Sequence, residues 1–416
     1  MDREEFLRQF DDDYRDDYEE EQQRKEEQAP RRRYSKKQIE EMKKKKKKQL
    51  FFRRAGIILA LLLVVFLIVV LIVKAVQAMT KPSETVATPD EAVPVQPVDP
   101  YPYASVFNKP EIADDKKTEG HYSTQMSDIY IYNNMALDTF TGGESDAQSY
   151  ADTISLFKAK APELTVYNMV VPSHIEFAVP QRLLDSGSVQ TNSQSDYLNY
   201  IYHNYTSDVV PINCYNKLSE HAADYIFFNT DYQLTALGGY YAYTAFTEQT
   251  NQRTLDLKVC KEHVIDRFEG ELCYTDETVS AHPDSLHYWT FPYETYAERT
   301  EDMDSEPYEI PIFYEEEESG TLAYGVFLWG DCPLFVEHNE DIDGDKKIVV
   351  VKENSANSFV SYLTADYKEV HIIDYRYFSG SIKYYCQHND IDEVLFVNNI
   401  YSANNEDALT KLRAIF

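Results

Sequence analysis

The stretch AQSYADTISLFKAKAPELTVYNMVVP, residues 147–172, carries the alternation on which the fold rests. Ala147 to Ala161 reads as a helix, and Thr165 to Pro172 is a short apolar run of the kind a strand buried on both faces requires. Upstream, Asp128 to Asn133 (DIYIYN) reads as another strand. Downstream, strands are expected at Val209–Ile212, Ile226–Phe228, Ile348–Lys352, Val370–Ile373 and Glu393–Val397. Helices are expected at Ser195–Tyr205, Tyr215–Ala223, Gly238–Thr250, Asn357–Asp366 and Glu406–Ile415. Strands alternating with helices point to an α/β domain whose mostly parallel sheet is covered on both faces. Residues 251–330 break this rhythm and read as extended, antiparallel structure inserted into it.

Working outward toward the N-terminus, residues 80–104 (TKPSETVATPDEAVPVQPVDPYPYA) are rich in Pro, Thr and acidic residues, the composition of an extended spacer. Before them, Ala55 to Val73 contains no charged residue. With the continuation to Met79, residues 55–79 form a stretch long enough to cross a bilayer as a helix. Residues 31–54 are strongly basic, with six lysines from Lys43 to Lys48. Basic residues against a membrane span mark its cytoplasmic side, so residues 1–54 are expected inside and the C-terminal domain outside. A cleavable signal peptide is the competing reading of the apolar stretch; its n-region would rarely be this long. Residues 1–30 are dense in Asp, Glu and Gln and are expected to stay largely disordered, because they have too little apolar surface to offset ordering entropy.

The charge is divided unevenly. The first 54 residues hold 18 basic and 15 acidic side chains, a net of +3, so the rest of the chain carries −34 of the whole-chain −31. That excess argues against nucleic acid as a partner, since binding to phosphates needs a basic surface. Five cysteines (Cys214, Cys260, Cys273, Cys332, Cys386) are scattered, with no CxxC or Cys/His cluster at metal spacing, and no cofactor is implied. Asn339 to Asp345 (NEDIDGD) resembles the opening of a calcium loop, but its twelfth position is Val350 and not Glu, so a solvated acidic turn is the expectation.

In open parallel sheets, ligands lie beyond the carboxyl ends of the strands. Three such strand ends stand out: Val170-Val171-Pro172-Ser173-His174; the run from Asn229 through Thr230-Asp231-Tyr232-Gln233-Leu234-Thr235 to Tyr243; and Val349 through Lys352-Glu353-Asn354-Ser355-Ala356-Asn357 to Phe359. Together they resemble the DHHW-motif family of bacterial extracytoplasmic proteins, relatives of the SGNH hydrolases and the alginate O-acetyltransferases. Its motifs read T-D-H-H-W-T-x-x-G-A-Y-Y-A-Y and K-D-S-Y-A-N-S-F. The resemblance covers roughly residues 105–416 and extends to Asp374-Tyr375-Arg376-Tyr377-Phe378 and Asp392 to Phe396. It implies an SGNH-like three-layer domain and a Ser-His-Asp set, in which serine attacks an ester carbonyl, histidine removes its proton and aspartate orients the ring.

This chain departs from that set at two of its three positions. The aspartate is Asp231, but the histidine position is Gln233, the tryptophan is Leu234 and the serine position is Asn354, preceded by Glu353. Glutamine cannot accept and return a proton near neutral pH, and an amide is not a practical nucleophile. The expectation is therefore a pseudoenzyme that binds cell-envelope polysaccharide or an envelope protein through Asp231, Tyr232, Gln233, Asn354 and Asn357. The alternative is an active O-acetyl esterase or acetyltransferase with a rearranged site, using Ser355 and His174. Neighbours at a strand end point to opposite sides, which disfavours Ser355 as a substitute. Asp374 and Arg376, two apart, read as lying on one face of a strand, where they can form a buried ion pair near the site, structural by default.

Overall fold

The computed structural model describes residues 101–315 and 320–416, and Pro97–Phe416 forms one compact unit. The expected tail (1–54), membrane span (55–79) and most of the spacer lie outside the described residues. Among the described residues, no helix is long and apolar enough to cross a membrane. The end of the expected spacer is docked, because Tyr101 and Tyr103 pack against the core and the Tyr103 hydroxyl donates to the Pro211 carbonyl at 3.1 Å.

In chain order the domain runs β1 (His121–Tyr122), β2 (Ile129–Tyr132), β3 (Met135–Asp138), α1 (Glu144–Lys160), β4 (Thr165–Val171), α2 (Gln194–His203), β5 (Val210–Ile212) and α3 (Ala236–Gln249). It continues through β6 (Lys261–Phe268), β7 (Asp284–Thr290), β8 (Thr295–Thr300), β9 (Tyr308–Ile310), β10 (Leu334–Asn339), β11 (Lys347–Lys352) and β12 (Glu369–Asp374). It ends with α4 (Ile382–His388), β13 (Glu393–Asn399) and α5 (Glu406–Arg413). Helix α1 has Glu144 and Asp146 in its first turn and Lys158 and Lys160 in its last, the charge order a helix dipole favours.

The main sheet has eight strands in the order β5-β4-β13-β11-β12-β10-β8-β9. The pairs β5/β4, β4/β13, β13/β11 and β11/β12 are parallel, whereas β12/β10, β10/β8 and β8/β9 are antiparallel. The sheet is thus mixed and mostly parallel at its centre. In β11, β12 and β13 nearly every residue is buried, as their continuous apolar runs require of strands covered on both faces. Helices α1, α2 and α5 pack together, and α3 packs against the segment Tyr215–Glu220 and against Asn357–Val360.

Four local expectations need correction. The strand at 128–133 exists as β2 but joins a separate three-stranded antiparallel sheet with β1 and β3, because the tight turn at Asn133-Asn134, both at positive φ, folds it straight back. Ile226–Phe228 forms no ladder; the chain reverses at once, leaving a single bridge between Phe227 and Leu234. The helix expected at 357–366 is one α-turn (Asn357–Val360) followed by a 3-10 segment (Ser361–Ala365). There the Ser361 and Thr364 hydroxyls bond to the buried Glu337 carboxylate of β10. Finally, β12 ends at Asp374, so Arg376 lies in the turn after it and not on the strand. Val350, the twelfth position of the calcium-like loop, is fully buried in β11.

Residues 251–330 are extended and antiparallel in two places. Strands β6 and β7 form a separate hairpin, whereas β8 and β9 continue the main sheet beyond β10.

Helix α3 lies close enough to the Asn357–Val360 turn that a Cβ on Gly239 would meet the Ser358 carbonyl oxygen at 2.3 Å. Alanine would favour an exposed helix by about 1 kcal/mol, so the sign of its effect tests this contact. Gly239→Ala is expected to destabilise the domain by about 1–3 kcal/mol in urea unfolding; a stabilised variant would show that α3 does not approach the turn this closely.

Candidate functional site

Lys352 ends β11 and Asp374 ends β12, and the two are register partners across the parallel pair. Their side chains meet in the interior, Lys352 Nζ lying 3.0 Å from Asp374 Oδ2 with both groups essentially inaccessible. Arg376 closes on the same carboxylate through Nε (2.9 Å) and Nη2 (2.6 Å), and Asp331 adds a second carboxylate 2.7 Å from Arg376 and 3.7 Å from Lys352. Burial alone would raise the Asp374 carboxyl, but Lys352 and Arg376 more than offset it and hold it below the usual range. The expected Asp374–Arg376 pair is therefore half of a four-membered cluster, with two charges of each sign.

Beyond Lys352 the chain turns through Glu353, Asn354 and Ser355. Asn354 lines a crevice of about 250 Å³ at the carboxyl ends of β11, β12 and β13, shared with Glu353, Arg376, Asn399, Asn405, Asp407 and Lys411. Ser355 is buried, and its hydroxyl donates to Glu353 Oε1 while its backbone N–H donates to Oε2 at 2.9 Å. The Asn399 N–H also donates to that Oε1, at 2.9 Å. Glu353 thus ties the turn after β11 to the end of β13, and Ser355 serves as its capping donor.

Asp231 and Gln233 lie in the reversal between Phe228 and Leu234. Asp231 is buried and accepts backbone N–H bonds from Gln233 (3.2 Å) and Glu271 (2.9 Å). Burial nevertheless pushes its carboxyl up to about 7, with the neighbouring Glu271 charge adding to the shift. Gln233 is also buried, and its Oε1 has no hydrogen-bond partner among the described residues. Tyr232 is half-buried and packs with Ile129, Ile131 and Leu272, on the side of the three-stranded sheet. Asn357 is buried and donates to Asp331 Oδ1 at 3.2 Å.

Two residues that sequence reasoning did not single out organise this region, and both come from residues 251–330. Asp284, at the start of β7, accepts from the Tyr225 hydroxyl, the Asn229 N–H (3.1 Å) and side chain (3.0 Å), and the Thr230 N–H (2.8 Å) and hydroxyl (2.7 Å). It fixes the residues that lead into Asp231. Tyr324 donates its hydroxyl to the Asn354 carbonyl at 3.3 Å, and its phenol is raised well above the usual range by burial and then by the Asp231 charge. Tyr324 is thus bonded to the turn after β11 and lies within electrostatic reach of Asp231. From the same segment, Gly270 lies so close that a Cβ there would meet Asp231 Cβ at 2.4 Å.

His174 lies elsewhere. Its Nδ1 bonds to the Phe228 carbonyl at 3.2 Å, its ring stacks on Phe227, and it lines a separate cavity with Tyr132, Met135 and Phe177. Ser355 is held by Glu353 and His174 by Phe228, and among the described residues no hydrogen bond links the two. The first can supply no proton to the second in this arrangement. Among the described residues no group of His, Cys, Asp and Glu forms a metal-holding cluster.

A sequence profile described as DHHW protein matches residues 105–373. Among solved structures, a DHHW family protein from Eubacterium siraeum superposes with a TM-score of 0.63 at 24% identity, covering 71% of this chain and 98% of the other. Bacillus cereus PatB1, solved with a sulfonyl adduct, gives 0.55 at 19% identity, covering 68% and 96%. The O-acetyltransferase domain of Pseudomonas putida AlgJ gives 0.39 at 11% identity, covering 71% and 99%. At these identities the likeness is one of fold alone. No curated protein matches the sequence.

Because the folded Asp231 carboxyl is raised to about 7 against an unfolded value near 3.9, its contribution to stability is complete below about pH 4 and is lost as pH rises through 7. Urea unfolding of the parent protein is expected to lose about 2–3 kcal/mol more between pH 5 and 8 than that of Asp231→Asn. Parallel profiles would show that Asp231 titrates normally.

Proposed function

Starting from the fact that the chain belongs to the DHHW family, we propose that it is a membrane-anchored, extracytoplasmic pseudoenzyme that uses an acyl-transfer scaffold to bind cell-envelope polysaccharide or an envelope protein. The observation that carries this reading is the state of the turn after β11. At the family's serine position the crevice is lined by the amide of Asn354, and the neighbouring hydroxyl of Ser355 is buried and committed to Glu353. Gln233 has no acid–base function, so nothing at the family's histidine position can take a proton from a nucleophile.

The same crevice has the chemistry of a binding site for hydroxylated groups. Asn354, Asn399 and Asn405 supply amides and Ser402 a hydroxyl, while Arg376 and Lys411 are set beside the carboxylates of Glu353 and Asp407. Arg376 is already oriented by Asp374 and Asp331, so little side-chain freedom is lost when a ligand binds. Placement outside the membrane with the N-terminus in the cytoplasm follows from the basic run ahead of residues 55–79.

The full-length protein is expected to hydrolyse p-nitrophenyl acetate no faster than buffer, with Ser355→Ala and His174→Ala indistinguishable from it. It should co-sediment with purified envelope polysaccharide, and Asn405→Trp, which fills the crevice, should weaken that retention about tenfold. Ester turnover abolished by either alanine substitution would establish the rearranged enzyme instead. Retention unaffected by Asn405→Trp would remove polysaccharide from the crevice.

A further inference from the structure

The cavity that contains His174 has no role in the reading above, and its construction is specific. It measures about 430 Å³, and its apolar walls come from Tyr132, Met135, Phe177 and Phe227. We propose that this cavity is a second binding site, for a compact ammonium group carried on an apolar or aromatic body.

Two features select that chemistry. The first is the tautomer of His174. A carbonyl can only accept, so the Nδ1 that lies 3.2 Å from the Phe228 oxygen carries the hydrogen. In the neutral ring, Nε2 is then an acceptor, and it has no hydrogen-bond partner among the described residues. Burial holds the ring well below its ordinary range, at about 4, so it stays neutral at physiological pH and does not repel a cation.

The second feature is charge. The lining contains no lysine or arginine, while Glu111 and Asp224 contribute carboxylates at its exposed edge. Asp224 also accepts from His221 and from Tyr241, each at 2.9 Å, whereas Glu111 makes no ion pair among the described residues. Asp114 and Asp115 add negative charge close to Tyr132. Arg182, a cation whose charge also reaches Tyr132, is held by Asp114 at 3.1 Å and Glu119 at 2.6 Å. An anionic ligand would be repelled, and a neutral one would gain nothing from the charge of the carboxylates. An ammonium can donate to Nε2 or a carboxylate while its body covers the stacked Phe227.

Calorimetric titration of the full-length protein with phenethylammonium, 2-phenylethanol and 3-phenylpropionate separates the possibilities. Phenethylammonium should saturate, and phenylpropionate should bind at least about tenfold more weakly, the effect of one charge-assisted hydrogen bond. His174→Phe keeps the ring stack but removes the acceptor, and it should weaken phenethylammonium binding about tenfold. Glu111→Gln, an exposed change that cannot unfold the domain, should lower the affinity of the ammonium alone. Equal binding of the anion, an unchanged affinity in both variants, or no saturable binding of any probe would overturn the assignment.

Discussion

The interior pair of Lys352 and Asp374 constrains the rest of the domain. Each residue is the last of its strand, they face one another in register, and neither has access to water. Breaking a buried pair by losing one partner costs about 3–5 kcal/mol, because the other charge is left uncompensated. A slip of β11 against β12 by one residue would do the same and would also turn a row of valines to the wrong face. The pair therefore fixes the register at the centre of the sheet. With Arg376 and Asp331 attached, it also fixes where the turns after both strands emerge, and those turns form the crevice.

The second organising feature is the segment of residues 251–330. Its hairpin supplies Asp284, which gathers five donors from Tyr225, Asn229 and Thr230, and its later part supplies Tyr324, whose hydroxyl reaches Asn354. Asp231 thus lies beneath Gly270 and Glu271, where its charge is unfavourable and no histidine is present to use it. A carboxylate retained in such a place is more economically explained by the two backbone N–H bonds it accepts than by chemistry. Gln233, beside it in the same reversal, is buried with its Oε1 unpaired among the described residues.

Much of this was legible in the sequence, for physical reasons that differ by element. Strands β4, β11, β12 and β13 announce themselves as unbroken apolar runs, and α1, α2, α3 and α5 as helical periods. The family motifs identify Asp231, Gln233 and Asn354 by position. Strand β10 (LFVEHN) is hidden because Glu337 and Asn339 look exposed; both are buried, Glu337 against the Ser361 and Thr364 hydroxyls and Asn339 against the Thr364 carbonyl. Asp284 and Tyr324 carry no local signal at all. Their roles arise from contacts across 54 and 30 residues of sequence, and only the fold brings them to the site. The His174 tautomer is set by a carbonyl 54 residues away and is equally invisible in one dimension.

The central claim is that this scaffold presents no activated nucleophile, and a covalent probe tests it more directly than turnover does. The full-length protein would be incubated with phenylmethylsulfonyl fluoride and examined by intact-mass spectrometry and peptide mapping. The account predicts an unmodified mass, since Ser355 is buried on Glu353 and position 354 is an amide. A stoichiometric sulfonyl adduct on Ser355 would contradict it and show that the turn after β11 still forms a working active site.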